Sequence, residues 1–201
     1  MDTPACPADP LTPWLTRVSV GTRHLRGPAP SPADLLRMTE AALRAPDHAG
    51  LVPFRFAVVR DGARERLGAL FERVALAQGK APEQALRDRA RATDPPLLVA
   101  VIARIDAGHP LATVHEQWIA LGGALSNFLT AAHAMGYGGK MLSGSKVRAQ
   151  AVMSAFCRPG ESLVGWMVLG TPQGQGQPKF HKPRADAVLT DWVAPGDTPA
   201  Q

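Results

Sequence analysis

The sequence predicts an α+β fold, a small sheet wrapped by helices, and two observations carry that prediction. The runs FRFAVV, PPLLVAVIARI and SLVGWMVLG are short and almost continuously apolar, as strands are when both faces are covered. They are outnumbered by longer stretches in which apolar residues recur every three or four positions, the period of a helix packed on one side. At 201 residues, 45% apolar and 19% charged, the chain has the composition of one ordinary globular domain.

Taken in order, residues 1–10 are proline-broken and read as a flexible tail, without the basic-then-apolar order of a signal peptide. Thr12-Pro13 opens a short helix through about Val18, with Thr12 as its N-cap. SPADLLRMTEAALRA is a second helix. Ser31 caps it, Pro32 takes its first position, Leu35, Leu36, Met38, Ala42 and Leu43 form its apolar stripe, and Pro46 stops it. After the strand FRFAVV, Asp61 caps a helix carrying Leu67, Leu70, Phe71 and Val74. Another helix follows Ala81-Pro82 to about Arg91, and PPLLVAVIARI is the next strand.

A long helix from about Ala112 to Met135 closes at GYGG, where glycine takes up the left-handed conformation. Its apolar part holds Ser126, Asn127, Thr130 and His133, so it reads as a buried helix and not a bilayer span. Gly138 to Ser143 is expected to be a loop, Val147 to Phe156 a helix and SLVGWMVLG the last core strand. The domain therefore spans 11–173. The remaining 174–201 is rich in Gly, Gln and Pro but ends in the apolar ADAVLTDWV, which is suited to lie on another surface.

The net charge of +5 is mostly arginine and scattered. No block of like charges and no aromatic–cation interleaving marks a nucleic-acid surface, whereas an anionic small ligand fits. Cys6 and Cys157 have no partner spacing, which argues against a disulfide framework and for a reducing cytoplasm. GYGGK lacks the P-loop spacing, and GTPQGQGQ is followed by no helix pattern. His109, His115 and Glu116 lack a third metal ligand, so no metal is expected. Ser143 to Lys146 matches S-x-x-K without the companion motifs that serine–lysine chemistry requires. What remains is Arg17 and Ser19, Arg44 and His48, and Gly138, Gly139, Lys140 and Ser143. Together they supply cations, hydroxyls and bare amides from three loops, as a phosphorylated ligand with a polar ring edge requires.

RAPDHAGLVPFRFAVV, Arg44 to Val59, closely resembles the R-A-P-D-H…P-W-R-F signature of the nitroreductase family of flavoproteins, in its small bacterial NAD(P)H nitroreductase branch. Arg17-Val18-Ser19 is similar to that family's R-R-S opening. EQWIALGGALSNFLTAAHAMGYGGKMLSG resembles its central helix and W-R-S-G loop. LVGWMVLGTPQ resembles its last core strand, and KPRADAVLTDWV its C-terminal extension.

The resemblance implies a nitroreductase-like fold with a central, mostly antiparallel sheet, in an intertwined homodimer with FMN at the subunit interface. It implies that the 174–201 extension packs on the partner subunit. By position, the FMN contacts would be Arg17, Val18, Ser19, Arg44, His48, Met141, Leu142 and Ser143. The NAD(P) contacts would be Ala131, Ala132, His133, Ala134, Met135 and Gly136. The implied reaction passes hydride from NADH or NADPH through the flavin to an electron-poor acceptor such as a nitroaromatic or quinone. No catalytic side chain is expected, because the flavin carries the chemistry.

The chain departs from the family pattern at five places. Val18 and Leu142 stand where arginines are expected, Met141 and Phe54 where tryptophans are, and Val52 replaces a glutamine. Lys140, Lys146 and Arg23 are close enough in sequence to replace the missing cations. Two rival readings follow from these departures. One is a flavin fold that binds FMN weakly or not at all and acts as a binding module. The other is a flavin reductive dehalogenase or ene reductase.

Overall fold

The structure, a computed structural model, describes residues 9–174 and 181–194. The first eight residues of the expected tail and much of the expected extension lie outside them. In chain order the elements are α1 Thr12–Thr16, β1 Leu25–Arg26, α2 Pro32–Ala42, β2 Phe54–Val59, α3 Gly62–Ala77, α4 Pro82–Thr93, β3 Leu97–Ala103, α5 Val114–Ala134, β4 Gly138–Leu142, α6 Gln150–Phe156 and β5 Ser162–Pro172. No helix among the described residues is long and apolar enough to cross a membrane.

Every strand pair is antiparallel, and β5 is the shared strand. Over Trp166–Leu169 it is flanked by β3 on one side and β4 on the other, while β2 lies beyond β3 and β1 pairs with its last residues. Side chains alternate between two cores. Val99, Val101, Met167 and Leu169 face Met38 of α2 and Leu121, Ala124 and Phe128 of α5. Leu98, Ala100, Ile102, Trp166 and Val168 face Leu67, Phe71 and Val74 of α3 and Val152 of α6. Helices cover both faces, which is why β3 and β5 read as continuous apolar runs.

The expected loop at Gly138–Ser143 is mostly strand, which corrects that reading. β4 pairs with β5 from Gly138↔Gly170 to Leu142↔Trp166. A Cβ on Gly139 would lie 2.5 Å from the Val168 carbonyl oxygen and 2.8 Å from Leu169 Cδ2. A Cβ on Gly165 would lie 2.6 Å from Met141 Cε and strike the Leu142 carbonyl. Glycine is thus demanded by close backbone approach, and its low strand propensity hid the strand.

The caps were partly legible. Ser31 and Asp34 form a reciprocal capping box on α2, and Thr113 and Glu116 form another on α5. Asp61 does not cap α3: its φ is +45° and its side chain makes no cap bond. Thr12 lies inside α1, which ends at Thr16 with Leu11 in the cap position. α6 starts at Gln150, after a 3₁₀ turn at Ser145–Arg148.

One buried ion pair ties three elements together. Arg55 of β2 donates from Nε to Glu161 Oε1 at 2.8 Å and from Nη2 to Oε2 at 2.6 Å. Nη2 also donates to the Phe156 carbonyl that ends α6. The Glu161 side chain is 6% exposed and also accepts from the Arg158 amide. The Arg55 hydrogen bonds hold its carboxyl down at about 2.

Two outcomes follow from this packing. Gly139→Ala is expected to lower stability by about 1–3 kcal/mol in urea denaturation, because the new methyl forces β4 away from β5. The Glu161 carboxyl titrates lower folded than unfolded, so the stability it contributes is complete above its ordinary value near 4.5 and is lost as pH falls toward 2. Glu161→Gln is therefore expected to be destabilised at pH 7, with the gap to wild type closing in urea titrations between pH 5 and 2.

Candidate functional site

The two segments expected to hold a ligand lie side by side. The chain leaving α1 runs along the outer edge of β4, where the Val20 amide donates to the Gly139 carbonyl at 3.0 Å. A Cβ on Gly21 would lie 3.8 Å from Lys140 Nζ. The segment Arg17–Ser19 thus leads into the outer edge of β4, and Val18 shares a cluster with Leu142. Ser19 is exposed, and Arg17 and Lys140 are half-buried.

Strand alternation divides the work of this edge. Met141 packs on the α5 side of the sheet, whereas Leu142 and Val18 pack on the α3 side with the cluster around Trp166. Both apolar replacements thus contribute to the core. The Ser143 hydroxyl donates to the Val164 carbonyl at 3.0 Å, bracing the end of β4.

The end of α5 reaches the same corner. Thr16 Oγ1 donates to the Thr12 carbonyl at 2.7 Å and lies 2.9 Å from His133 Nε2. The hydroxyl proton is already committed, so His133 supplies its Nε2–H. The helix then closes in a Schellman turn, with Gly136 N–H to the His133 carbonyl and Tyr137 N–H to the Ala132 carbonyl, both at 2.9 Å. Gly136 takes φ +84° there, as the GYGG motif predicted. The stretch Ala131–Gly136 is this turn. Ala132 is buried, Ala134 and Gly136 are exposed, and the others are half-buried.

Arg44 and His48 lie elsewhere. Ala45 fits against Gly123 in the middle of α5, where a glycine Cβ would lie 3.2 Å from the Ala45 Cβ. Asp47 then folds the loop, its Oδ2 accepting from the Val52 amide at 2.7 Å while Ala49, Gly50 and Val52 all take positive φ. Nothing lies within 4 Å of a Cβ built on Gly50, so the fold itself requires the glycine for its φ of +63°. His48 Nδ1 meets Glu116 Oε1 at 3.0 Å near the start of α5.

The pairing of Glu116 with His48 had no signal in the sequence, where Glu116 stood only as a metal-ligand candidate. Hydrogen bonds from Thr113, together with His48, hold its carboxyl at about 2, so it is ionised and accepts. His48 therefore donates from Nδ1 and keeps Nε2 free. Glu116 and His133 are separated by α5 itself, about 25 Å at 1.5 Å per residue. Within the chain, His48 and the Arg17–Ser19 corner are therefore at opposite ends of that helix.

The proposed substitute cations fare differently. Lys140 stands at the corner. Lys146 does not, which corrects that expectation: it is buried, with Nζ 2.8 Å from Asp88 Oδ1 of α4. Arg23 turns toward His24, with Nε 2.8 Å from its Nε2. It lines a separate open cleft of about 880 Å³ with Arg26, Arg64 and Asp94. Arg64 there spends its guanidinium on the carbonyls of Ala92, Thr93 and Pro96, which closes α4. Phe54, at the position of the expected tryptophan, is buried in the α5-side core.

This arrangement has clear relatives. The YdjA protein of Escherichia coli K12, whose name places it provisionally among NAD(P)H nitroreductases, is 33% identical over 168 residues, 83% of this chain and 91% of its own. A Haemophilus influenzae protein with the same provisional naming is 31% identical over 81% of this chain and 88% of its own. The fold matches a nitroreductase-like protein from Bacillus cereus with a TM-score of 0.74 at 19% identity, covering 96% of this chain and 98% of that one. A Desulfovibrio desulfuricans structure described as a nitroreductase in complex with FMN matches with a TM-score of 0.69 at 22% identity, covering 93% and 99%. The sequence model of the Nitroreductase family spans residues 15–171. With the predicted motifs placed on a nitroreductase-like antiparallel sheet, the chain belongs to the Nitroreductase family.

Proposed function

We propose that the protein is an FMN-dependent NAD(P)H oxidoreductase that works as a homodimer and reduces an electron-poor acceptor such as a nitroaromatic or quinone. The observation that carries this reading is the Val20–Gly139 pairing, which joins the Arg17–Ser19 segment to the strand that holds Lys140 in a member of this family. Two cations and a hydroxyl beside the half-buried Met141 and Leu142 suit a ligand with a phosphate and a flat, largely apolar ring. When bound, FMN supplies a ring that takes hydride from NADH or NADPH and yields its electrons to the acceptor.

The protein's own residues bind and orient. Arg17 and Lys140 offset negative charge on the phosphate or the ring's pyrimidine edge. Met141, on the α5 side of the sheet, keeps water from the ring. The exposed backbone at Ala134 and Gly136 leaves room for the nicotinamide to approach, with His133 held by Thr16.

The second subunit supplies what one chain cannot bring together. With His48 about 25 Å of helix away from the Arg17 corner, a single FMN that meets both sets takes His48, with Arg44 of the same loop, from a second copy. α5, the most apolar helix, exposes Val114, Trp118 and Ile119 on one face, as a dimer interface requires. In the extension, Val188, Leu189, Trp192 and Val193 are all exposed. An apolar groove of about 440 Å³ between α2 and the free edge of β2 is bordered by Leu36, Val58, Arg55 and Arg60. It suits the partner's extension, whose Asp191 complements Arg60. The rival reading of a weak binding module draws on Val18 and Leu142, which carry no charge to the site.

Three results test this reading. The purified protein is expected to be yellow, or to become so with FMN, and to bleach anaerobically with NADH or NADPH; a chain that stays colourless sinks the enzyme reading. Lys140→Ala is expected to weaken FMN binding by about tenfold or more in fluorescence titration, the worth of one charge-assisted hydrogen bond. Arg17→Ala and Arg44→Ala are each expected to lose FMN as pure proteins. Refolding them together should restore about a quarter of the sites, because each mixed dimer assembles one intact site. No restoration would show that both arginines serve the same subunit's site.

A further inference from the structure

We propose that Lys146 and Asp88 form a buried lock that positions the Met141–Ser143 segment for FMN, so that Lys146 acts as a positioning residue and not as a cofactor cation. This inference rests on the flavin reading above. Lys146 lies in the 3₁₀ turn Ser145–Arg148, three residues beyond Ser143. Its side chain is 8% exposed, that of Asp88 is 4% exposed, and Lys146 Nζ lies 2.8 Å from Asp88 Oδ1. The other carboxylate oxygen, Oδ2, accepts from Lys80 Nζ at 2.8 Å, and Arg91 Nη1 lies 3.4 Å from Oδ1. Phe71 of α3 closes the site, with its ring centroid 5.5 Å from Lys146 Nζ.

The position of this cluster in the chain assigns it a role. The segment expected to contact FMN is held on its N-terminal side by the β4–β5 ladder, which ends at Leu142↔Trp166. Beyond it come Ser143, with one hydroxyl bond to the Val164 carbonyl, and Gly144, whose Cβ position has nothing within 4 Å. Without a second anchor, the end of β4 would fray at a glycine. Lys146 supplies that anchor and ties the turn to α4, a helix of the layer covering the opposite side of the sheet from α5.

A buried ion pair adds little net stability compared with an apolar pair of equal volume, but it has only one geometry. Its direction-specific bonds restrict the turn to one position, which a leucine pair could not do. The same pairing removes Lys146 from the S-x-x-K pattern. An ammonium held by a buried carboxylate at 2.8 Å is no base for Ser143.

The test compares Lys146→Met, Lys146→Arg and Asp88→Asn in the full chain. The readouts are FMN affinity, the flavin absorbance spectrum and amide hydrogen exchange over residues 142–148, all taken well below the melting temperature. Lys146→Met leaves Asp88 paired with Lys80, so the fold is retained. It is expected to speed exchange in that window and weaken FMN by about tenfold, and Asp88→Asn should act in the same direction. Lys146→Arg, which can still reach the carboxylate, should restore both readouts.

If Lys146→Met weakens FMN while Asp88→Asn binds it as wild type does, Lys146 acts on the cofactor directly and the lock is wrong. Unchanged exchange and affinity in both variants, in a wild type that binds FMN, would also overturn it. A wild type that binds no FMN at any concentration would overturn the flavin reading, and the inference with it.

Discussion

The structure depends on the close approach of β4 to β5. Two glycines permit it, Gly139 and Gly165, at positions where any Cβ would collide with backbone or core atoms of the neighbouring strand. β5 can then be hydrogen-bonded on both edges over Trp166–Leu169 and buried on both faces, so the two cores share one strand. The candidate site inherits this arrangement. The outer edge of β4 receives Val20, and that single backbone bond joins the segment after α1 to the strand of Lys140.

The charges of the molecule divide into two groups by what they face. Arg55, Glu161, Asp88, Lys146 and Arg64 are committed to partners and hold elements together. Buried charge is costly unless paired, so these side chains are fully engaged within the fold. Arg17, Lys140 and Arg44 are available to a ligand. The basic balance seen in the composition therefore overstates the positive field at the site, because several of the cations serve as internal ties.

α5 organises the rest. Its inner face packs on the sheet and on α2 through Leu121, Ala124 and Phe128. Its start holds His48 through Glu116, and its end holds α1 through His133. The same helix therefore orders both halves of the proposed site while keeping them apart by its own length. A rigid helix of this length suits a site shared between two subunits, since each copy presents both halves at a set spacing.

The sequence by itself determined the fold class, the helices with their stripes, the Ser31 cap, and the apolar strands β2, β3 and β5. All of these are local signals: periodicity, cap chemistry and short spacing act within a turn or two of the chain. It misread β4 as a loop because its glycines answer to a neighbouring strand. It left Lys146 among the ligand cations because its partner, Asp88, is 58 residues away. It missed the pairing of Glu116 with His48 because a capping box reads the same whether or not a histidine from another loop completes it. Only the tertiary structure decided which cations remain free, which glycines permit close approach and which motif residues share a corner. Each of those depends on contacts between segments far apart in the chain, and local spacing carries no record of them.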